Sequence, residues 1–491
     1  MSYTKIAKAK PFDGVPKINL APFFGASPKK QIILRIPVTG KRPMKYFAEN
    51  LPSGLSLSEN IISGIIEEEG KYEVILRAEN DLGSCEKKII FEIAPQNLLI
   101  SPLLGFTTWN AFYSEVTQSD VEHTAEKLCE LGLSEYGYSY VNLDSGWQYK
   151  YGGKYDAIMP NPKFSDMKSM TDKVHSLGLK CGIYSSPMLT AWGCPKEYES
   201  IPGCTKGEPD IRFASTMGGI GTIRKERNNA LQWAEWGFDY LKYDWKPNDT
   251  VNAEYMRSEL IKTDRDIPMC VTVEAPKEYC EYWSRFCCSY RANWDSDGTW
   301  QRLMHFLDRY YRFCETPTRG HYFDLDMLDI GHKRDGSIRH SFTDDEQIMV
   351  YSLRAFLGSP IQISAVLDHI DDFEMDIYCN DEIIAINQDS WFSRAMPYMK
   401  DETNGGILHV FEKTMSDGRY AYAFFNTGDT KNKFTAVFET ETDIRDVWAK
   451  EDVSKTDRFV IENMPHTVKI FLFSAPISDN ISENISEENA K

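Results

Sequence analysis

Apolar and polar positions follow three different patterns along the chain. Between about residues 17 and 95, short runs rich in β-branched residues alternate with Gly, Pro, Ser and Asn turns, and the clearest runs cover 31–36, 72–78 and 88–93. Short alternating runs between such turns are typical of antiparallel strands. This part of the sequence predicts a small antiparallel β-sandwich.

From about residue 97 the apolar period becomes helical. Met167, Met170, Val174 and Leu177 recur at helical spacing, a glycine follows, and the apolar segment 180–184 comes next. The same order of helix, glycine and apolar segment precedes 140–143 and 240–244. This repeat indicates a parallel sheet with right-handed crossovers.

Eight such apolar segments can be counted, at 105–109, 140–143, 180–184, 240–244, 269–274, 288–291, 322–327 and 360–364. Eight strand–helix units over this length predict a (β/α)8 TIM barrel. An open doubly wound sheet is less favoured because no Gly-rich phosphate loop follows the first strand.

After Asp389 the helical period disappears, and 407–411, 420–425, 433–438 and 467–473 alternate as antiparallel strands do. We therefore expect a multidomain protein: an N-terminal sandwich (1–96), a catalytic barrel (97–389), a C-terminal antiparallel β-sandwich (390–476) and a disordered acidic tail (477–491). The tail is predicted from its polar, acidic composition.

Composition and charge narrow the possible partners. The 491 residues carry a formal net charge of −18 and no large basic cluster, so neither nucleic acid nor an anionic membrane surface is an expected partner. No run reaches the roughly 18 apolar residues of a membrane span. The first 16 residues lack the apolar core of a signal peptide. A cytoplasmic location is therefore predicted, or a periplasmic or secreted one if a leader is absent from this sequence.

The cysteine and histidine patterns predict no metal and no cofactor. The 11 cysteines include no Cys-x-x-Cys pair, and none of the 9 histidines lies at a predicted strand end. Cys194 and Cys204 could close a short disulfide loop.

Candidate site residues cluster where the predicted barrel strands end: Trp109, Asp144, Tyr184, Lys242, Asp244, Glu274, Arg291, Asp295 and Asp326. Barrel enzymes place their sites at this face. Carboxylates accept hydrogen bonds from sugar hydroxyls, aromatic faces cover C–H surfaces, and two carboxylates suffice for glycoside hydrolysis. Lys242 and Asp244 are two residues apart on a strand, so both face one side, and the cation would keep the carboxylate ionised. A purely structural ion pair is the alternative.

Eight segments, in this order along the chain, resemble glycoside hydrolase family 27, the α-galactosidases and α-N-acetylgalactosaminidases. They are GFTTWN (105–110), YVNLDSGW (140–147), GIYS (182–185), YLKYD (240–244), RANWD (291–295), DLDML (324–328), TDDEQ (343–347) and AINQD (385–389). The resemblance covers about residues 99–475. The N-terminal sandwich looks like the immunoglobulin-like modules attached to some bacterial members.

The resemblance implies a retaining double displacement at an α-linked sugar. Asp244 matches the family's nucleophile and Asp295 its acid/base, with the nearby Asp297 as a competitor for the second role. The remaining matches imply substrate contacts: Lys242 with ring hydroxyls and the charge of Asp244, Trp109, Asp144 and Tyr184 in the sugar pocket, and Glu274 and Arg291 at carbon 2. Asp326 matches either a sugar contact or a buried, hydrogen-bonded carboxylate.

Several departures from the family pattern affect the expected substrate. Ser145 stands where a second Asp usually helps to recognise the hydroxyls at carbons 4 and 6, and Phe106 replaces a usual Trp. Trp245 and Lys246 stand where a cysteine commonly follows, which implies that the family's disulfide is absent and fits a reducing compartment. Glu274 favours a hydroxyl over an N-acetyl group at carbon 2.

We therefore expect an α-galactosidase-like glycosidase whose partner is an oligosaccharide or glycoside. β-L-Arabinopyranosidase, α-N-acetylgalactosaminidase and α-glucan-acting enzymes of this family remain open because of Ser145. So does an inactive carbohydrate-binding homologue, although a decayed site need not keep Lys242, Asp244, Arg291 and Asp295 together.

Overall fold

The computed structural model describes residues 3–187, 224–244, 248–272, 274–389, 393–402 and 407–478. These residues form an N-terminal β region, a central curled sheet of eight parallel strands with surrounding helices, and a C-terminal antiparallel β-sandwich. The predicted order of the three parts is confirmed.

The N-terminal region contains nine strands: β1 (Lys17–Ile18), β2 (Phe23–Ala26), β3 (Gln31–Arg35), β4 (Val38–Thr39), β5 (Lys45–Glu49), β6 (Leu55–Ser58), β7 (Ile61–Ile65), β8 (Gly70–Asn80) and β9 (Gly83–Ile93). A four-stranded sheet (β2-β9-β8-β5) and a three-stranded sheet (β3-β7-β6) carry most of them. Inward-facing residues alternate along each strand, among them Ile32, Ile62, Val74 and Phe91, and they form an apolar core of their own.

The central sheet contains the eight predicted strands: β10 (Leu104–Thr107), β11 (Tyr140–Leu143), β14 (Lys180–Ser185), β15 (Tyr240–Tyr243), β16 (Met269–Val271), β17 (Ser289–Tyr290), β18 (Tyr322–Phe323) and β19 (Ile361–Ile363). A short hairpin, β12 (Gln148–Gly152) and β13 (Ala157–Pro160), is inserted after β11. The sheet order is β18-β17-β16-β15-β14-β11-β10-β19. A parallel bridge between Leu328 and Ile363 joins the two edges, so the sheet closes into a TIM-like barrel.

The helices of the barrel region are α1 (Trp109–Phe112), α2 (Gln118–Glu130), α3 (Met167–Ser176), α4 (Glu226–Trp236), α5 (Thr250–Ile261), α6 (Lys277–Trp283), α7 (Trp300–Phe313), α8 (Asp344–Phe356), α9 (Asp372–Tyr378) and α10 (Asp381–Asn387). Their starts follow local sequence signals. Thr117 and Asp120 form a capping box at α2, and Thr343 and Glu346 form another at α8. Gly237 in the left-handed conformation ends α4.

Six strands form the C-terminal sandwich: β20 (Met396–Asp401), β21 (Leu408–Thr414), β22 (Tyr420–Asn426), β23 (Asn432–Asp446), β24 (Glu451–Asn463) and β25 (Thr467–Phe473). One set of side chains, including Phe411, Val447 and Ile470, continues the core of the barrel, while Phe424, Phe434 and Phe471 form a second apolar cluster. The sequence pattern did not predict β20 or β24. The side chains of β24 are mostly exposed and polar, so it lacks the apolar alternation of a half-buried strand.

The N-terminal β region packs against the end of the barrel where the strands begin. The backbone N–H of Ser27 donates to Asp266 at 2.8 Å, just before β16. Glu135, just before β11, binds Arg35 at 2.7 Å, Arg42 at 3.2 Å and the N–H of Val38 at 3.1 Å. The N-terminal β region therefore supports the barrel where its strands begin, opposite their carboxyl ends.

Both termini of the described chain pack against the rest of the protein. The N–H groups of Tyr3 and Thr4 donate to Asp345 at the start of α8 at 2.8 and 2.9 Å. Ile477 is buried, and the N–H of Ser478 donates to Val437 at 2.8 Å, so the ordered sandwich extends two residues beyond the expected boundary. The remaining residues of the predicted tail, 479–491, lie outside the described residues.

Cys194 and Cys204 also lie outside the described residues. The nine cysteines that the structure describes all have free thiols. Among the described helices, none combines the length and the apolar character that crossing a bilayer requires.

We expect Glu135→Ala to lower the free energy of unfolding by about 3 kcal/mol, because it leaves Arg35 and Arg42 without a buried counter-charge. Urea unfolding followed by tryptophan fluorescence measures this. The matched control is Glu130→Ala, whose side chain is mostly exposed beside Lys127 and should change stability by less than about 1 kcal/mol. An equal loss in both variants would contradict the bracing role of Glu135.

Candidate active site

The sequence-predicted site residues all lie in the described part of the chain, and most follow the carboxyl ends of barrel strands. Asp144, Asp244 and Arg291 each come directly after a strand, β11, β15 and β17 respectively. Strand pairing sets the level of these residues along the barrel axis. Tyr184 is the register partner of Lys242, and the N–H of Asp244 donates to the carbonyl of Ser185 at 2.8 Å. The closed sheet therefore brings side chains from distant parts of the sequence to one mouth.

Arg291 is the centre of this cluster, with a side chain only 2% exposed. Its Nη1 binds Asp326 at 2.6 Å, and its Nη2 binds Asp295 at 2.6 Å and lies 4.0 Å from Oδ1 of Asp244. One guanidinium thus faces three carboxylates. Burial would lower the pKa of Arg291, but the charges of Asp326, Asp295 and Asp244 outweigh it and raise the pKa.

Lys242 forms a second cationic centre beside the first. Its Nζ donates to Asp144 at 2.8 Å and lies 5.6 Å from the ring centre of Tyr184. Burial acts to lower its pKa, but the charges of Asp144 and Asp244 raise it overall. The hydrogen bond of the ammonium goes to Asp144, and its charge acts on both Asp144 and Asp244.

Burial raises the pKa of Asp244, and the nearby cations Lys242 and Arg291 oppose this effect without cancelling it. Asp326 shows the opposite balance: burial acts to raise its pKa, but Arg291 and Lys242 lower it below the ordinary value. The difference follows from distance, since Asp326 touches the guanidinium and Asp244 lies farther from it.

Asp326 is a buried, hydrogen-bonded carboxylate. It accepts from the N–H of Ser296 at 2.7 Å in addition to Arg291, and its own N–H donates to Asp324 at 2.8 Å. Its φ of 68° and the φ of 43° at Glu274 lie in the left-handed region, which costs a non-glycine residue energy. Two site residues therefore adopt backbone conformations that the surrounding structure must enforce.

The two candidates for a proton donor differ in their surroundings. Asp295 is 70% exposed at the mouth and is bound by Arg291. Asp297 instead accepts from Thr299 and from Nε of Arg302, so its carboxylate is engaged at the start of α7. Of the two carboxylates, Asp295 is therefore the one that contacts the buried Arg291.

Three further predicted residues, Trp109, Ser145 and Glu274, follow the ends of β10, β11 and β16. Trp109 opens α1 and meets Tyr113 edge to face, with the ring centres 5.6 Å apart. Ser145 is buried directly after Asp144, whose Oδ1 accepts from the Ser145 N–H at 2.7 Å. Gly146 turns the chain there with φ 109°, and a Cβ at this position would come within 2.8 Å of Ser114. Glu274 is half-buried.

Two supporting residues were missed in the sequence. Thr272 donates its hydroxyl hydrogen bond to Oδ1 of Asp244, and the hydroxyl of Thr108 accepts from the N–H of Asp144 at 2.9 Å. Thr272 comes directly after β16, the same position that Asp144, Asp244 and Arg291 occupy after their own strands, so its place at a strand end was a usable signal. Nothing in the local sequence indicates that its partner is Asp244.

Comparison with known proteins identifies the family. The model of the family described as alpha galactosidase A matches residues 104–207 and 208–389, and the model of the alpha galactosidase C-terminal beta sandwich domain matches 405–473. This chain belongs to the α-galactosidase family. It is a glycoside hydrolase of the α-galactosidase type, and the predicted family resemblance is confirmed.

Individual relatives agree with this assignment. The chain is 26% identical over 385 residues to alpha-galactosidase A of Cellvibrio japonicus, covering 74% of this chain and 84% of that one. It is 27% identical over 372 residues to the alpha-galactosidase of Cyamopsis tetragonoloba, covering 72% and 82%. A solved Bacteroides fragilis structure, described as a candidate alpha-galactosidase, superposes with a TM-score of 0.83 at 26% identity over 96% of this chain and 99% of that chain.

We expect Asp244→Asn to raise the midpoint of thermal unfolding at pH 7. Because the pKa of Asp244 is raised on folding, its stabilising contribution is fully present below the unfolded-state pKa of about 3.9 and is lost as the pH rises through the folded-state value. The neutral amide avoids that loss, so the gain should shrink as the pH falls towards 4. Differential scanning calorimetry across pH measures it. Asp308→Asn, in an exposed pair with Arg312, is the control; a lower midpoint for Asp244→Asn at pH 7 would contradict the expectation.

Proposed function

We propose that the enzyme hydrolyses terminal α-galactosyl, or closely related, residues with retention of configuration. The observation that carries this proposal is the placement of one nitrogen, Nη2 of Arg291, between Asp244 and Asp295. Asp244 is the nucleophile and Asp295 the acid/base in this proposal.

The distances around Arg291 support retention. Oδ1 of Asp295 lies 2.6 Å and Oδ1 of Asp244 lies 4.0 Å from the same nitrogen, so these two oxygens can be no farther apart than the two distances combined. Retaining glycosidases hold their carboxyl groups about 5–5.5 Å apart, and inverting ones about 6.5–9.5 Å apart to admit a water molecule. The upper limit here only just reaches the inverting range.

The reaction then takes two steps. A carboxylate oxygen of Asp244 bonds to the anomeric carbon as the bond to the leaving oxygen breaks, and Asp295 gives its proton to that oxygen. In the second step Asp295 removes a proton from water, the water oxygen bonds to the anomeric carbon, and the bond to Asp244 breaks. The exposed position of Asp295 is suited to exchanging a proton with the leaving group and with water.

The proposed substrate-binding roles combine this geometry with the family resemblance, which supplies the roles of Glu274 and Arg291. Lys242, held by Asp144, can donate to ring hydroxyls with its remaining hydrogens, and Trp109 and Tyr184 offer aromatic surface. Glu274 and Arg291 are assigned to the hydroxyl at carbon 2. The contacts of Asp326 with Arg291 and Ser296 support a role in orienting Arg291 rather than binding sugar directly.

Ser145 keeps a second substrate possible. A hydroxyl in place of a carboxylate weakens recognition of the groups at carbons 4 and 6, and a β-L-arabinopyranoside lacks the carbon-6 group. A β-L-arabinopyranosidase of Geobacillus stearothermophilus shares this fold, but at 21% identity the likeness supports the fold alone. α-N-Acetylgalactosaminidase and α-glucan-acting activities, and binding without turnover, are the other outcomes of the test below.

We also infer that residues 1–96, 97–389 and 390–476 are three domains, the first of them immunoglobulin-like, with the third sharing part of its core with the second. The separate apolar core of the N-terminal region and its position at the far end of the barrel support a bracing role for that domain.

A panel of aryl glycosides tests the proposed function: α-galactoside, N-acetyl-α-galactosaminide, β-L-arabinopyranoside and α-glucoside. We expect wild type to cleave the α-galactoside, and Asp244→Asn to lose at least about a thousandfold in kcat while still binding galactose in calorimetry. Cleavage of another sugar alone would reassign the substrate. Turnover retained by Asp244→Asn would remove Asp244 as the nucleophile.

Replacing the proton donor should separate substrates by their leaving groups. We expect Asp295→Ala to slow substrates with poor leaving groups by about 10²–10⁴-fold and activated aryl glycosides by less than about tenfold in the first step. Asp297→Ala is the matched control and should show no such dependence. Equal losses on both substrate classes would contradict the role of Asp295.

A further inference from the structure

The strands that carry Asp244 and Thr272 are adjacent and in register. Lys242 pairs with Cys270 and Tyr243 pairs with Val271, so Asp244 and Thr272 occupy the next register position beyond both strand ends. Side chains at paired positions of neighbouring parallel strands point to the same side. This register explains why the Thr272 hydroxyl meets Oδ1 of Asp244.

The backbone of Thr272 is held from two directions. Its N–H donates to the carbonyl of Tyr243 at 3.2 Å, and its carbonyl accepts from Nδ2 of Asn248 at 2.7 Å. The same Nδ2 donates to the carbonyl of Tyr243 at 2.7 Å. Thr272 is 2% exposed and Asn248 is 7% exposed. The amide of Asn248 therefore ties the two strand ends together and holds the backbone from which the Thr272 side chain extends.

We propose that Thr272 is a positioning residue that holds Oδ1 of Asp244, so that Oδ2 is the oxygen that bonds to the anomeric carbon. A hydrogen bond from a hydroxyl draws electron density from the oxygen that accepts it, which weakens Oδ1 as a nucleophile. Arg291 also faces Oδ1, so the two groups orient the carboxylate through the same atom. This inference rests on the proposed role of Asp244.

The Thr272 hydroxyl can donate its hydrogen bond to Asp244 in both steps of the reaction. When Oδ2 bonds to the sugar and the leaving group departs, Oδ1 becomes the carbonyl oxygen of the ester and can still accept the hydrogen bond. When water displaces the sugar, Asp244 becomes a carboxylate again and its Oδ1 still accepts the hydrogen bond from Thr272. Thr272 also favours the ionised form of Asp244 in the free enzyme, against the burial that raises its pKa.

The test compares the pH dependence of kcat/KM in wild type, Thr272→Val and Thr272→Ser. Valine keeps the branched shape and loses the donor, so we expect kcat/KM to fall roughly tenfold or more and the acid limb to move to higher pH by roughly one unit. Serine keeps the donor and should leave the limb at the wild-type pH, with kcat/KM within about threefold of wild type. An acid limb that stays at the wild-type pH in Thr272→Val would overturn the proposal, whether or not kcat/KM changes.

Thr263→Val is the matched control for loss of a buried hydroxyl. Thr263 follows α5 at the opposite end of the barrel, is 5% exposed and donates to Leu260 at 2.7 Å. It should cost similar stability without moving the acid limb. Should Thr272→Val not fold, Thr272→Cys against Thr272→Ser gives the same contrast, because a thiol is a weaker donor of nearly the same size. Acid limbs at the same pH in Thr272→Cys and Thr272→Ser would overturn the proposal.

A separate experiment tests the role of Asp244. A slowly turned-over fluorinated galactosyl substrate with a good leaving group labels the nucleophile, and mass spectrometry locates the label. A label on Asp244 together with an unmoved acid limb in Thr272→Val overturns only the inference about Thr272. A label on another residue overturns the proposed role of Asp244 itself.

Discussion

The site depends on the buried guanidinium of Arg291. A charge taken out of water this completely is stable only when counter-charges lie within contact distance. The barrel meets this demand with Asp326, Asp295 and, at longer range, Asp244. The compensation of one cation therefore brings carboxylates from three strand ends together. The same arrangement gives two of these carboxylates different properties: the pKa of Asp326, which contacts the guanidinium, is lowered, and the pKa of the more distant Asp244 is raised by burial.

The two β regions support the barrel through different contacts. The N-terminal region lies against the beginnings of the strands, where Glu135 and Asp266 receive its arginine and backbone groups. The C-terminal sandwich shares one continuous apolar core with the barrel through residues such as Phe411 and Ile470. Both contacts hold the positions of the strands, on which the register at the opposite mouth depends. Residues as far from the site as Glu135 therefore affect the stability of the scaffold rather than the reacting groups.

The fold could largely be predicted because helical runs and short apolar segments alternate regularly along the barrel. The eight barrel strands lie where the apolar segments occur, and α2, α3 and α4 cover the predicted helical runs. The hairpin β12–β13 and the strands β20 and β24 were not predicted. They are edge or inserted elements whose partners satisfy their backbone hydrogen bonds, so their sequences need not show an apolar face.

The sequence by itself determined the order of the elements, the residues at the ends of the barrel strands and, through its motifs, the family. These properties depend on local periodicity and on residue types at fixed spacing. Only the tertiary structure decided the pairings within the site: Lys242 with Asp144, Thr272 with Asp244, and Arg291 with three carboxylates at once. The physical reason is that such contacts form across neighbouring strands. Their geometry is set by the register and closure of the whole sheet, which no local stretch of sequence specifies.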